Sequence, residues 1–284
     1  NTVLDGKLAV PLGNHMLLTG FQVRRNELQS DGYYANPLGL GQGIDASFTE
    51  KSLFVEDEWA IASNFSLTGG LRLDDNEFFG RHWTPRLYGV WNLSSAWTIK
   101  GGVAKGFQSP SIAQINPNIG LPQRGGAQTW GNPNLKPEES INREIGAYYD
   151  AGGAFRGNDT IFDTDYTNKI VNTGSRQLVY PDGTPVPNDP YTGRVFSTYF
   201  NITKAKIRGL ELAGSYQFSP SLKLSGNYTL TDSKVKSAGV NILGFGYPLA
   251  DGQPLVAVPK HAASATLNWK AMENLSAFAT VTYR

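Results

Sequence analysis

Hydrophobic and polar residues alternate along most of this chain. In "LKLSGNYTLT" at 222–231, one set of alternate positions is apolar or small and the other set is polar. The stretches "FSLTGGLRLD" at 65–74 and "HAASATLNWK" at 261–270 repeat the pattern. Successive side chains of a β-strand point to opposite faces, so each stretch predicts a strand with one apolar and one polar face. A helix would instead repeat its apolar positions about every three to four residues.

About twelve such segments follow one another. They begin near residues 2, 15, 48, 65, 83, 96, 139, 158, 198, 222, 259 and 275. Short links alternate with long connections at about 29–47, 107–138, 173–197 and 236–258, and the connection near 76–82 is shorter. Short turns at one end and long loops at the other are typical of outer-membrane proteins. The pattern therefore predicts an all-β fold, a transmembrane antiparallel β-barrel, with 107–138 neither helix nor strand.

A soluble β-sandwich also alternates, and three features favour the membrane barrel over it. The segments are near ten residues, the length that a tilted strand needs to cross a bilayer. Their polar faces mix Ser, Thr, Asn, Lys and Arg, as a water-filled lumen would. Aromatic residues near segment ends predict an interfacial girdle; they are Trp59, Trp91, Trp97, Tyr216, Phe218, Trp269 and Tyr283.

Composition excludes several other classes of function. Charge is nearly balanced, with 25 Lys+Arg against 24 Asp+Glu, and no basic stripe predicts a nucleic-acid surface. The chain has no Cys and only 3 His at scattered positions, so no metal or thiol site is predicted. With no catalytic motif either, we expect a protein that is not an enzyme. The start at Asn1 and an alternation that runs to the last residues indicate an internal piece of a longer protein.

The stretch "WGNPNLKPEES" at 130–140 contains several residues that interrupt regular secondary structure, just before a predicted strand. Pro133 and Pro137 have no N–H and cannot donate to a sheet. Asn132 precedes a proline and is pushed toward extended geometry, whereas Asn134 suits a turn. Local physics favours a stiff loop exit, with a ligand-gripping loop as the alternative.

Four ordered blocks resemble one family, the TonB-dependent outer-membrane receptors. They are "LFVEDEWAIASNFSLTGGLRLD", "KGFQSPSIAQINPN" followed by "RGG" and "GNPNLKPEESINREIG", "NITKAKIRGLELAGSYQFSPSLKLSGNYTLTDS", and "GQPLVAVPKHAASATLNW". The resemblance covers nearly the whole chain. It implies that 1–284 is about 12 strands of a 22-stranded barrel, partial at both ends. The plug, the TonB-contacting segment and a final aromatic-ended strand of the family are absent from this sequence.

The block "IAQINPNIGLPQRGG" resembles the ferric-enterobactin and colicin I receptor branch of that family. Haem receptors share the "FQSP" and "NPNL" motifs but carry a His between them, and 107–134 has none. The resemblance thus implies binding and energised import of a ferric siderophore, a catecholate, through the outer membrane of a Gram-negative bacterium. Implied partners are the TonB complex, outer-membrane lipid, and a colicin or phage. Iron enters only as part of the ligand, and no resident cofactor is implied.

A tris-catecholate complex is anionic and aromatic, which favours Arg, Tyr, Trp and Gln as its contacts. The long connections supply such residues, and Arg124 combines charge with a place in the resembling block. The candidate contacts are Arg124, Gln114, Gln123, Trp130, Arg176, Tyr180, Arg194, Tyr33 and Tyr34. Each taken singly also fits a solvated loop residue.

Other functions stay open at this stage. The ligand could be a hydroxamate siderophore, cobalamin, haem or a carbohydrate. The barrel could be a passive porin-like channel, or the chain could be a soluble adhesin or glycan-binding module.

Overall fold

A computed structural model of the protein describes residues 1–30, 44–116, 120–122, 128–172, 177–179, 197–237, 241–243, 251–255 and 258–284. The elements in chain order are β1 Thr2–Leu12, β2 His15–Ser30, β3 Ile44–Ala62, β4 Phe65–Asn76, β5 Gly80–Asn92, β6 Trp97–Gln108, α1 Ile112–Ile115, β7 Gly120–Pro122, β8 Gln128–Trp130, β9 Glu138–Asp150, β10 Phe155–Asn172, β11 Gln177–Val179, β12 Ser197–Ser219, β13 Leu222–Ser237, β14 Asn241–Leu243, β15 His261–Met272 and β16 Leu275–Tyr283.

The twelve long strands form one antiparallel sheet in which chain order and spatial order agree. The order runs β1-β2-β3-β4-β5-β6-β9-β10-β12-β13-β15-β16. β7 and β8 pair with each other beside this sheet, and β8 also pairs with β12. This up-and-down meander confirms the predicted antiparallel strands of a barrel wall.

Two details of the sequence prediction were wrong. The segment 107–138 contains the helical turn α1 and the short strands β7 and β8, whereas neither helix nor strand was predicted. Several strands also exceed ten residues, up to 23 in β12, because they continue past the length that a bilayer requires. Within the described residues, no helix is long and apolar enough to span a membrane.

The register fixes which face each side chain occupies. Leu224 lies opposite Tyr216 and Leu267 on the neighbouring strands, whereas Ser225 lies opposite Ser215 and Thr266. Residues opposite each other share a face. The apolar set is therefore the lipid-facing set, and the polar set lines the lumen.

The lipid-facing set forms an apolar belt. On β4 it runs from Phe65 to Leu73, and Asp75 and Arg81 form an ion pair just beyond it. Eight residue steps are about 26 Å along the strand, or about 20 Å across a membrane at a tilt of about 40°. Large aromatic side chains border the belt near the short turns, as predicted: Trp59, Trp91, Trp97, Tyr216, Phe218 and Trp269. Tyr283 instead lies on β16 away from these turns.

Charged pairs mark the opposite border of the belt on β9 to β13. Arg143, Asp163, Arg208 and Asp232 lie opposite one another in a single row. Arg143 Nη1 is 2.8 Å from Asp165 Oδ2 in the next row, and Lys206 Nζ is 2.9 Å from Asp163 Oδ2. The hydrogen bond from Arg143 lowers the pKa of Asp165, and nearby Lys206 adds to the effect. Opposite charges alternate along the row, which is the favourable cross-strand arrangement.

Among the described residues, most of the buried apolar side chains lie in two small clusters at the long-connection end. One cluster contains Phe200, Ile202, Ala205, Val235 and Leu255. The other joins Phe48 to Ile112, so α1 is packed against β3. The apolar belt itself stays exposed, as expected where lipid is the solvent.

The first prediction tests the assignment of faces. Leu224→Arg should destabilise the membrane-inserted protein by about 1–3 kcal/mol, because a cation on the lipid face costs about 2–4 kcal/mol at the midplane and less toward the interface, and Leu224 lies one row inside the aromatic border. Ser225→Arg should cost much less, because its side chain enters the lumen. Folding titrations of the full-length protein into lipid vesicles would measure both. Equal destabilisation would show that the register is wrong.

The second prediction tests whether this sheet closes by itself. Among the described strands, β1 pairs only with β2 and β16 only with β15. Edge N–H and C=O groups cannot stay unpaired in hydrocarbon. The 284-residue chain alone should not insert as a heat-resistant monomer, whereas the full-length protein should. A protease-resistant monomer of the short chain in liposomes would contradict this expectation.

Candidate ligand-binding site

A cavity of about 570 Å³ opens on the lumenal face near the long connections. Side chains of β2, β3, β4 and β6 form its wall, and residues 109–113 border it on one side. Three cations and three carboxylates line it: Arg24, Arg72, Lys105, Glu27, Glu50 and Asp74. Alternation places Arg24, Arg72, Glu50 and Asp74 here, because all four occupy lumen-facing positions. Glu27 and Lys105 occupy the other set of positions, near the ends of β2 and β6.

Arg72 is the most firmly held cation of this cavity. Its Nε donates to Asp74 Oδ1 at 2.8 Å, and its Nη2 donates to Ser52 Oγ at 2.7 Å and to Gln22 Oε1 at 3.3 Å. Ser52 also donates to Asp74 Oδ1 at 2.6 Å, and both residues are buried. These bonds use the Nε–H and the Nη2 amino group, and the guanidinium carries two further N–H donors on Nη1. The arrangement fixes a half-exposed cation in one orientation.

Two contacts hold the start of the β6–β9 connection against this cavity. Glu50 Oε2 accepts from Ser109 Oγ at 3.3 Å and from the buried Asn76 Nδ2 at 3.0 Å. Ile112 packs on Phe48, as described above. Residues 109–113 are thereby fixed beside the cavity wall.

A second polar patch lies deeper in the lumen, around a cavity of about 510 Å³. Arg86 and Glu56 form an ion pair, and Asn142 Nδ2 donates to Glu144 Oε2 at 3.0 Å. Glu58 also lines the cavity. This patch carries more carboxylates than cations, so it suits a cationic or hydrogen-bonding surface better than an anionic ligand.

Of the predicted contacts, Gln114 is the one whose side chain the structure describes. Its Oε1 accepts the Ser111 N–H at 2.9 Å, and Ser111 Oγ accepts the Gln114 N–H at 3.3 Å. The two residues form a capping box at α1. Its carboxamide oxygen therefore serves the helical turn, and a ligand contact through its Nε2 stays a prediction.

The other predicted contacts are not tested by the structure. Trp130 lies in β8, but its side chain is outside the described residues. Also outside them are Gln123, Arg124, Arg176, Tyr180, Arg194, Tyr33 and Tyr34. The structure thus neither brings them together nor separates them.

Sequence reasoning missed the cavity cations. Arg24 lies on the polar face of β2, which leads to the long connection at about 29–47, and Arg72 lies on the polar face of β4, two strands away in the same sheet. The alternating pattern assigns both residues to the polar set, and this assignment alone would have placed both side chains in the lumen. The predicted ligand contacts instead all came from the long connections.

Among the described residues, no three His, Cys, Asp or Glu side chains are arranged to hold a metal ion.

Comparisons with known proteins agree with this architecture. A family described as "TonB dependent receptor-like, beta-barrel" matches residues 1–284. The "Iron-regulated outer membrane virulence protein" of Vibrio cholerae is 36% identical over 284 residues, which is 100% of this chain and 40% of that protein. The "Ferric enterobactin receptor PirA" of Pseudomonas aeruginosa is 33% identical over 307 residues, covering 99% of this chain and 38% of that protein.

A solved structure extends the likeness to three dimensions. It is a mutant of the ferric enterobactin receptor PfeA from Pseudomonas aeruginosa, and it superposes with a TM-score of 0.73 at 27% identity. The match covers 99% of this chain and 40% of that one. The chain thus spans about 40% of the length of the relatives it matches.

The family match along the whole chain settles the question of class. The chain belongs to the TonB-dependent receptor β-barrel family, whose members are transporters of the Gram-negative outer membrane and not enzymes.

Proposed function

We propose that the protein to which this chain belongs binds a ferric siderophore, a catecholate complex, and imports it with energy from the TonB complex. The observation that carries the proposal is the similarity, over 99% of the chain, to receptors named for ferric enterobactin. The soluble adhesin alternative is wrong, because the family and the lipid-facing belt belong to a membrane barrel.

The charges of the lumenal cavity are balanced, and Arg72 is the group in it that we propose to meet an anionic ligand. A tris-catecholate ferric complex carries negative charge on planar aromatic groups, and a guanidinium can meet both the charge and the ring face. Arg72 is already oriented by Asp74, Ser52 and Gln22, so it would lose little rotamer freedom on binding. A ligand held by the connections above could reach this cation as it moves inward.

Import requires parts of the protein beyond these residues. The family resemblance assigns a plug inside the barrel and a TonB-contacting segment, and the acidic patch around Glu56, Glu58 and Glu144 offers a polar wall for such a plug. The passive-channel alternative predicts flux without an energy source, so dependence of uptake on the TonB complex separates the two. Recognition by a colicin or phage stays a prediction.

Arg124 provides the first test of the ligand. In the full-length receptor, Arg124→Ala should weaken ferric-catecholate binding at least about tenfold, because losing a hydrogen bond to a charged group costs about 1.5–3 kcal/mol. Arg124→Lys should recover only part, since Lys keeps the charge without the planar fork. Fluorescence-quench titration would measure all three proteins. Unchanged affinity in Arg124→Ala would make it a solvated loop residue.

The same titration distinguishes among ligand classes. Ferric hydroxamate, cobalamin, a carbohydrate and haem should bind far more weakly than the catecholate. Haem should not bind, because 107–134 contains no His to ligate its iron. Clear binding of haem by the wild type would overturn the ligand assignment.

Arg72 provides a test within the cavity. Arg72→Gln should lower ferric-catecholate affinity about tenfold, which is about 1.4 kcal/mol. It also leaves the buried Asp74 without its cation, so the double variant Arg72→Gln/Asp74→Asn should restore thermal stability but not affinity. Lys223→Gln is the matched control, because it removes one lumenal cation near a short turn. Unchanged affinity in Arg72→Gln, or an equal loss of affinity in Lys223→Gln, would show that the cavity has no specific role.

A further inference from the structure

The end of the β6–β9 connection lies along the β10–β12 hairpin as an added strand. β8 pairs in parallel with β12, with Thr129 opposite Ser197 and Trp130 opposite Thr198. Asn172 Nδ2 on β10 donates to Thr129 Oγ1 at 3.3 Å. Residues 128–137, here called the return segment, therefore contact both strands of a hairpin more than thirty residues away in sequence.

Two asparagines continue this attachment toward β9. Asn132 Nδ2 donates to the carbonyl of Tyr199 at 2.9 Å, and the Asn132 N–H donates to the carbonyl of Gln114 at 2.7 Å. The Asn134 N–H donates to Asn132 Oδ1 at 2.9 Å, which forms the turn that the sequence predicted. One residue thus joins the beginning of the connection, its end and β12.

Asn201 makes the central contact. Its Oδ1 accepts the Lys136 N–H at 2.8 Å, and its Nδ2 donates to the Lys136 carbonyl at 2.8 Å. A carboxamide bonded in this way replaces the main-chain partner that a neighbouring strand would supply. The same Nδ2 donates to the Asn168 carbonyl on β10 at 2.6 Å. Asn201 therefore holds the return segment and β10 at once.

The main chain adapts to this contact at Asn168. Its φ is 56°, and it is the sole residue other than glycine with a positive φ in the described part of the chain. β10 keeps the same register against β12 on both sides of this residue, with Thr167 opposite Lys204 and Lys169 opposite Ile202, but Asn168 itself is left out of the ladder. Asparagine adopts a positive φ more readily than most residues, and here the conformation coincides with the missing pair in the ladder.

Burial shows that the return segment is packed and not only hydrogen-bonded. Thr129 and Leu135 are buried, with exposed fractions of 1% and 4%. A Cβ at Gly131 would collide with the main chain of Asn116, so only glycine fits where the two ends of the connection meet. The segment has one well-defined position against the hairpin.

We propose that Asn201 is a positioning residue, which fixes the ligand-binding β6–β9 connection to the β10–β12 hairpin so that the two act as one unit in capturing the siderophore. The inference rests on the proposed function for its ligand. Its structural half, the attachment itself, can be measured without any ligand.

The experiment uses the full-length receptor in detergent and four variants. Asn201→Ala removes both bonds to Lys136, and Asn201→Asp keeps the acceptor but turns a carboxylate oxygen toward two carbonyls. Asn168→Gly keeps the carbonyl that Asn201 contacts and removes the cost of a positive φ. Asn227→Ala is the matched control, because Asn227 is an exposed lumenal asparagine on β13.

Hydrogen exchange without ligand is the first readout. In Asn201→Ala and Asn201→Asp, exchange should rise at least about tenfold in both 128–137 and 197–203, while β4 and β13 amides stay protected. Asn168→Gly and Asn227→Ala should exchange like the wild type. Unchanged exchange, or a rise confined to one of the two segments, would overturn the attachment. Loss of protection throughout the barrel in both Asn201 variants would also contradict a local positioning role.

Binding of ferric enterobactin, followed by stopped-flow fluorescence, is the second readout. The Asn201 variants should weaken binding about tenfold, mainly through faster dissociation, with Asn168→Gly and Asn227→Ala unchanged. Faster exchange with unchanged dissociation would reduce Asn201 to a structural residue. A wild type that binds no ferric catecholate would overturn the proposed function, whereas the exchange result would still decide the attachment.

Discussion

The structure depends on one constraint: inside a bilayer, every backbone N–H and C=O must find a partner within the protein. Strands satisfy this by pairing laterally, and each long strand from β2 to β15 has a neighbour on both sides. Lateral pairing forces side chains to alternate between lipid and lumen. The apolar belt and the polar lumenal wall are therefore two consequences of the same hydrogen-bond ladder.

The ladder also explains why the proposed binding residues are concentrated at one end. Within the belt, one face of every strand is committed to lipid, so charge can accumulate only toward the lumen. Past the belt, neither face of a strand contacts lipid, so both can carry charge. The row Arg143–Asp163–Arg208–Asp232 lies on the outside there. There the strands extend, and connections can pack on them. The Arg72 cavity and the Asn201 attachment both lie toward this end.

The sequence located the membrane part of the strands better than their ends. β1, β2, β4, β13 and β16 begin where the alternation predicted. β3 begins at Ile44 instead of 48, and β10 begins at Phe155 instead of 158. In both strands the main-chain pairing starts before the apolar alternation does. Phe278 breaks the alternation of β16, yet it stays on the lumenal face opposite Asn268. The hydrogen-bond register of the whole strand determines which face a residue occupies, and one apolar side chain does not change it.

The sequence by itself determined the strand pattern, the two faces, the aromatic border and the family, because each of these depends on residues that are close together in the chain. It also predicted the turn in "GNPN". Only the tertiary structure decided what that turn holds. Arg72 meets Gln22 across fifty residues, and Lys136 meets Asn201 across sixty-five. Such contacts between distant residues depend on strand register and on how the connections fold back onto the sheet. Neither can be inferred from the local pattern of residues.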